Sequence, residues 1–174
     1  MIFRKPLIVI IGDDFSIFSL VINKILDRFK LIKLRLEKID KIKSFLRKNP
    51  VLVVDYVETM KSVSEMKVLL KSIKPQTYLI LNYDDERIRE LKSLAVYSLT
   101  YGFQKKADLY ISDISTDEQG MNFKINYQGS SIPFWFNQVL TRKQIYNLLA
   151  GIAVGLVKDL NLVEMSQVLK KGPA

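Results

Sequence analysis

Residues 77–102, TYLILNYDDERIRELKSLAVYSLTYG, confine the chain to a small group of folds. Residues 78–81 form an apolar run of buried-strand length, and an acidic turn over residues 82–86 follows it. Residues 87–94 then place Ile88, Leu91 and Leu94 at helical spacing, and residues 96–100 return to strand formers that end at Gly102. This is one strand–helix–strand unit, and right-handed crossovers put such strands in one parallel sheet. Open sheets of this kind bind ligands at the carboxyl ends of their strands, which is where Asn82, Asp84 and Asp85 fall.

The same pattern precedes that unit. Leu7–Ile11 (LIVII) has the continuous β-branched character of a strand covered on both faces. Gly12-Asp13-Asp14 is a turn, and Ser16 is placed to cap a helix over residues 17–29 whose Ile17, Leu20, Val21, Ile25 and Phe29 make an apolar stripe. Residues 31–36 (LIKLRL) alternate as an edge strand does, and residues 38–48 form a short basic helix stopped by Asn49-Pro50. A second buried strand, VLVVDY over residues 51–56, leads into a helix over residues 59–73 that Lys74-Pro75 closes.

After Gly102 the pattern changes. Strands over residues 109–114, 121–127 and 131–136, separated by turn residues, read as an antiparallel meander or hairpin pair. Helices over residues 141–157 and 162–170 complete the chain. The expected fold is α/β: a mostly parallel sheet flanked by helices, then a small antiparallel β-meander and C-terminal helices. It is read as a single domain over residues 1–174, with a sheet part (1–103), a meander (104–140) and a helical part (141–174).

Composition narrows the chemistry. The 174 residues include neither cysteine nor histidine. Disulfides, thiolate metal sites, a Cys nucleophile and the commonest general base are therefore unavailable, which leaves carboxylates, Lys, Tyr and hydroxyls. The formal charge is +9, with lysines densest over residues 24–48. Such a surface attracts nucleic acid or another anionic surface, or is simply a solvated face of amphipathic helices. No apolar run approaches the roughly 20 residues of a membrane span, so no transmembrane segment and a cytoplasmic location are expected.

Several constellations could carry function. A strand–turn–helix at the N-terminus is where a phosphate-binding loop would lie, but Gly12-Asp13-Asp14-Phe15 has one glycine, no lysine and two carboxylates that repel phosphate. Asp55 ends its strand as a Mg²⁺ ligand would, or as an ordinary polar residue. Asn82, Asp84 and Asp85 could accept from sugar hydroxyls or hold a cation; equally, Asp84 or Asp85 could cap the helix that begins near Glu86, and these roles are compatible. Trp135 invites comparison with a nucleic-acid stacking platform, yet strand alternation puts Phe134 and Phe136 on the opposite face and favours a core with one surface aromatic. Arg142 and Asn147 lie near the start of the long helix, within reach of a pocket there.

Together, LNYDDERIRELKS, SLTYGFQKKADLYISDI, DEQGMNFKI and LTRKQIYNLLAGIAVGLVKDL resemble the later part of the central ATPase domain of the Mur ligases. Leu81 to Asp85 match that family's "LNADD" strand end, and Leu99 to Gly102 its "TFG"-like turn. Ala107-Asp108 with Asp113-Ile114 match "ADVRAxDI", and Arg142, Asn147, Ala150 and Ala153 match the helix that opens "GRHNxxN". RKPLIVIIGDD falls where the family's phosphate-binding loop begins, and residues 51–55 where a Mg²⁺-binding Glu lies. The resemblance implies a P-loop-NTPase-like fold, with ATP and Mg²⁺ as cofactors of the active relatives.

The departures imply loss of that activity. The family's loop Lys and Thr fall on Ser16 and Ile17, its following glycine on Phe15, and the His of "GRHN" on Lys143. A segment bearing a second metal-binding His and a carbamylated Lys is missing between Pro75 and Tyr78, and the flanking domains that bind the UDP-sugar and close over the amino acid are expected to be absent. Loss of a single transition-state charge typically costs on the order of 10²–10³ in rate. The expectation is thus no catalytic residue, and a vestigial nucleotide pocket of Gly12, Asn82, Asp84, Asp85, Arg142 and Asn147, with Asp55 as the one metal candidate. A binding role toward a protein partner, linked to peptidoglycan precursor synthesis, follows. The alternatives are an ATP-dependent ligase component completed by a partner chain, and a basic binder of nucleic acid or anionic surfaces.

Overall fold

The computed structural model describes residues 7–11, 30–34, 50–54 and 60–170. The turn at Gly12, Asp55, and the helices expected over residues 17–29 and 38–48 lie outside the described residues.

The strands are β1 (Leu7–Ile11), β2 (Lys30–Leu34), β3 (Val51–Val54), β4 (Tyr78–Asn82), β5 (Tyr97–Gly102), β6 (Leu109–Asp117), β7 (Gly120–Tyr127) and β8 (Ser130–Phe136). Helix α1 (Met60–Lys71) precedes β4, the short α2 (Glu86–Arg89) precedes β5, and α3 (Arg142–Val157) and α4 (Leu162–Lys170) follow β8. All eight strands join one sheet in the order β2-β1-β3-β4-β5-β6-β7-β8. The pairs from β2 to β6 are parallel, and β6–β7 and β7–β8 are antiparallel. The α/β reading of the sequence holds, and β2 is an edge strand as its alternation predicts.

The apolar runs are continuous because β1, β3 and β4 are covered on both sides, and their alternate residues feed two separate cores. Ile8, Ile10, Val51, Val53 and Ile80 pack with α3, α4 and the inner face of the meander. Val9, Ile11, Leu52, Val54, Leu79 and Leu81 pack with Val63, Met66, Leu69 and Leu70 of α1, together with Ile88 and Leu91. A one-residue slip of any of these strands would exchange the two sets, so the period of two fixes register.

Two details differ from the sequence reading. The single helix expected over residues 87–94 is α2 followed by a 3₁₀ turn over Glu90–Leu94. There the Ser93 hydroxyl donates to the Glu90 carbonyl at 3.0 Å, a local bond of the kind that competes with regular helix. And β6 is not purely antiparallel: Tyr101 and Gly102 pair parallel to Leu109 and Tyr110 before β6 turns its other edge to β7. It is thus the hinge between the parallel sheet and the meander. A register shift between Ser112 and Ser115, with Asp113 at φ 51°, marks the bulge that lets it serve both.

The β7–β8 hairpin turns on Gln128 and Gly129, both at positive φ (48° and 80°), as a type I′ turn requires. Strand β8 ends the sheet, with Pro133 in its middle opposite Lys124. Phe134 is fully buried and Trp135 is 45% exposed, as strand alternation predicts. Among the described residues no helix is long and apolar enough to cross a membrane.

Candidate binding site at the ends of strands β4 and β5

Strand β4 delivers Asn82 to the carboxyl edge of the sheet. The Tyr83 amide donates to the Tyr101 carbonyl at 2.8 Å, so the β4–β5 pairing continues one residue past the strand. The Asn82 side-chain oxygen then accepts from the Asp84 amide at 3.0 Å, a local turn that aims the Asp84 carboxylate across β5. Asn82 is buried (8% exposed), so its amide serves as an internal strut.

Both oxygens of the Asp84 carboxylate are engaged. Oδ2 accepts from the Phe103 amide at 2.7 Å and the Tyr146 hydroxyl at 2.9 Å, while Oδ1 accepts from the Gln104 amide at 3.2 Å. One side chain thereby ties the end of β4, the turn after β5 and helix α3 together. Charge-assisted bonds of this sort are short and strong. Gly102 is the residue that makes room for it.

Asp85 caps α2, accepting from the Arg87 amide at 3.0 Å. Its two oxygens also take the Arg87 Nε (3.0 Å) and Nη2 (2.9 Å) in a bidentate fork. The helix-capping role weighed from the sequence is therefore the one seen.

Helix α3 starts on a capping box: the Gln144 amide donates to the Thr141 hydroxyl at 3.3 Å and the Thr141 amide to Gln144 Oε1 at 2.7 Å. That start places Arg142 over the Phe103 ring, 4.4 Å from its centroid, with Nη2 donating to the Tyr146 hydroxyl at 3.2 Å. Phe103 and Tyr146 meet edge to face at 5.0 Å. Burial raises the Tyr146 hydroxyl above its ordinary pKa and Asp84 adds to this, while the bond from Arg142 acts the other way. Tyr146 therefore stays protonated and donates to Asp84.

Asn82, Asp84, Asp85, Glu86, Arg87 and Tyr146 line an open cleft of about 530 Å³. The structure thus gathers three of the expected residues directly and Arg142 through Tyr146. Asn147 is buried in α3 (3% exposed) and does not line this cleft. Tyr146, Phe103 and Gly102 belong to the site without being among the residues the sequence points to. The signal was there for Tyr146, one helical turn after Arg142, and for Phe103, which directly follows the matched turn.

A second acid, Asp108, clasps β5 to the entry of β6. The Thr100 amide and hydroxyl both donate to Oδ2, at 2.8 and 2.7 Å, and the Asp108 amide donates back to the Thr100 hydroxyl at 3.0 Å. Burial works to raise its pKa, but the two bonds from Thr100, aided by Lys92, outweigh it and hold the carboxyl low.

Magnesium takes carboxylate oxygens at its coordination shell. In this cleft Asp84 already accepts from three protein donors, and the Arg87 guanidinium lies on both oxygens of Asp85, where its charge opposes a second cation. Among the described residues no three acidic or other ligating side chains gather as a metal site would require.

A parallel sheet passes through one two-faced strand into an antiparallel meander, with a polar cleft at the ends of β4 and β5, which makes this an open α/β domain with its cleft at the carboxyl ends of the strands. The chain belongs to the Mur ligase middle domain family, whose model matches residues 54–155. It is 25% identical over 143 residues to UDP-N-acetylmuramate–L-alanine ligase of Alkaliphilus metalliredigens, covering 75% of this chain and 31% of that protein. Among solved structures, UDP-N-acetylmuramoylalanyl-D-glutamyl-2,6-diaminopimelate–D-alanyl-D-alanyl ligase of Acinetobacter baumannii superposes with a TM-score of 0.79 at 14% identity, over 98% of this chain and 46% of that one. MurF ligase of Thermotoga maritima in complex with ADP gives 0.77 at 12% identity, over 94% and 48%. The two structural likenesses concern the fold. The chain spans under a third of that curated relative and about half of the solved chains.

Proposed function

We propose that the chain is a non-catalytic member of the Mur ligase family that acts by binding a protein partner, in the service of peptidoglycan precursor synthesis. The observation that carries this reading is the engagement of Asp84. A carboxylate that accepts from two backbone amides and a tyrosine hydroxyl, joining β4, β5 and α3, supports a structural part for the cleft. Sequence supports it independently. Phosphoryl transfer relies on cations placed against the transferring group, and in the resemblance drawn from the sequence the family's loop Lys and Thr fall on Ser16 and Ile17, near Asp13 and Asp14. The chain also has no histidine with which to hold a metal or move a proton.

Titration calorimetry of the chain with ATP and Mg²⁺ tests the proposal. No binding as tight as about 100 μM, equivalent to about −5.5 kcal/mol, is expected. Binding at that level that is abolished by Asp55→Ala would replace this reading with that of a ligase component completed by a partner chain.

A further inference from the structure

Trp135 is the chain's single tryptophan and stands on the outer face of the meander. Met121, Phe123 and Phe134 turn into the core, while Asn122 and Trp135, directly opposite each other on β7 and β8, turn outward. Ser115 of β6 continues the same row. Beside this row Gly120 sits at φ +133°, and a Cβ there would come within 2.0 Å of the Phe136 carbonyl oxygen, so no other residue fits. Next to that gap lies a cleft of about 370 Å³, with the indole on one side and Asp117, Gln119, Asn122, Asn137 and Lys170 around it.

Among the described residues, the polar groups of this cleft have few partners. Asp117 uses Oδ1 to accept from the Gln119 amide at 2.8 Å. Among the described residues no protein group bonds the side-chain amides of Asn122 or Asn137. The Lys170 ammonium lies over the indole ring, 5.0 Å from its centroid, so a ligand stacked on that face takes the ammonium's place.

We propose that this cleft binds a neutral saccharide unit, stacked on Trp135 and held at its rim by Asn122, Asn137 and Asp117. A sugar ring has one apolar C–H face and a rim of hydroxyls, each both donor and acceptor. The indole supplies the matching flat apolar surface. The amides offer donors and acceptors, the carboxylate accepts, and the ammonium donates. An anionic ligand gains little, because Asp117 offsets Lys170. Single-strand nucleic-acid sites interleave several aromatics along a basic groove, and this cleft has one indole and one cation. It shares no residue with the cleft at β4 and β5, so the proposal goes beyond the function above and stands or falls separately.

The test is titration of the chain with chitotriose and maltotriose, with AMP as counter-probe, followed by Trp135 emission and by amide chemical shifts. At least one sugar is expected to give a saturable change with a Kd of about 1 mM or tighter. Asn122→Ala and Asn137→Ala should each weaken it by about fivefold or more. Lys170→Ala should shift the emission of the free protein yet keep the sugar response. Asn137 is exposed beyond the end of β8, so its variant keeps the native thermal transition and gives the arm that loss of folding cannot mimic. The proposal is overturned by no saturable change up to about 10 mM sugar, by an unaltered response in folded Asn122→Ala and Asn137→Ala, or by saturation with AMP alone.

Discussion

The carboxylate of Asp84 occupies the space a side chain on Gly102 would need: all three of its terminal atoms lie 2.8 Å from where a Cβ would stand. The glycine that ends β5 and the acid that follows β4 are therefore one feature. The acid can reach the Phe103 and Gln104 amides only because residue 102 beside it carries no side chain.

Gly102→Ala should therefore be destabilising although it only adds a methyl group. Overpacking of this kind costs about 1–3 kcal/mol. Urea denaturation gives the value, and a double-mutant cycle with Asp84→Ala gives the mechanism. The two losses should add to less than their sum, because removing the carboxylate removes the clash. Strict additivity would show that Asp84 is not what Gly102 accommodates.

Tyr146→Phe removes the hydroxyl that donates to Asp84 and accepts from Arg142, leaving the ring against Phe103. A loss of about 1–2 kcal/mol is expected, near the lower range for a bond to a charged group, since the site is partly open to water. Because the folded-state pKa of Tyr146 is raised, its contribution is whole below the unfolded value and is lost as pH rises through the folded one. Stability measured by denaturant between neutral pH and the tyrosine range should fall less steeply with alkali in Tyr146→Phe than in the parent.

Acid acts through Asp108. Its pKa is lower in the folded chain than the ordinary 3.8, so the unfolded state binds the proton more readily and stability rises with pH across this window. The contribution is complete above about pH 4 and disappears as the pH falls through the lower folded value. Asp108→Asn should be less stable than the parent at neutral pH, with the difference narrowing below about pH 4. A gap that stays constant to lower pH would mean that the Thr100 clasp does not depend on charge.

The start of α3 offers a fourth measurement. Thr141→Ala removes one half of the capping box and should cost about 1 kcal/mol by denaturation. Ser at the same position, which keeps the acceptor, should restore most of it.

The parts of the fold legible in the sequence are those set by period and by local chemistry. LIVII, VLVV and YLIL read as doubly covered strands because nothing along them is polar, and each divides its residues between two cores. The outward Trp135 and inward Phe134 follow from the pleat, and a helix cap at Asp84 or Asp85 from their place before Glu86; the fold gives it to Asp85. The dual pairing of β6 was hidden, since strand residues do not announce which neighbour runs which way. The role of Asp84 was also hidden, because its partners lie 19, 20 and 62 positions away and arrive only through the tertiary fold. Asn147 matched a family position in the sequence but sits among core residues of α3.

Pro133 has a bearing on how copies of this chain can meet. A strand laid beside β8 would find no hydrogen to accept at the middle of that border, since the pyrrolidine nitrogen carries none. Growth of the sheet by addition is thereby discouraged on this side, and whatever approaches there must grip with side chains rather than by continuing the ladder.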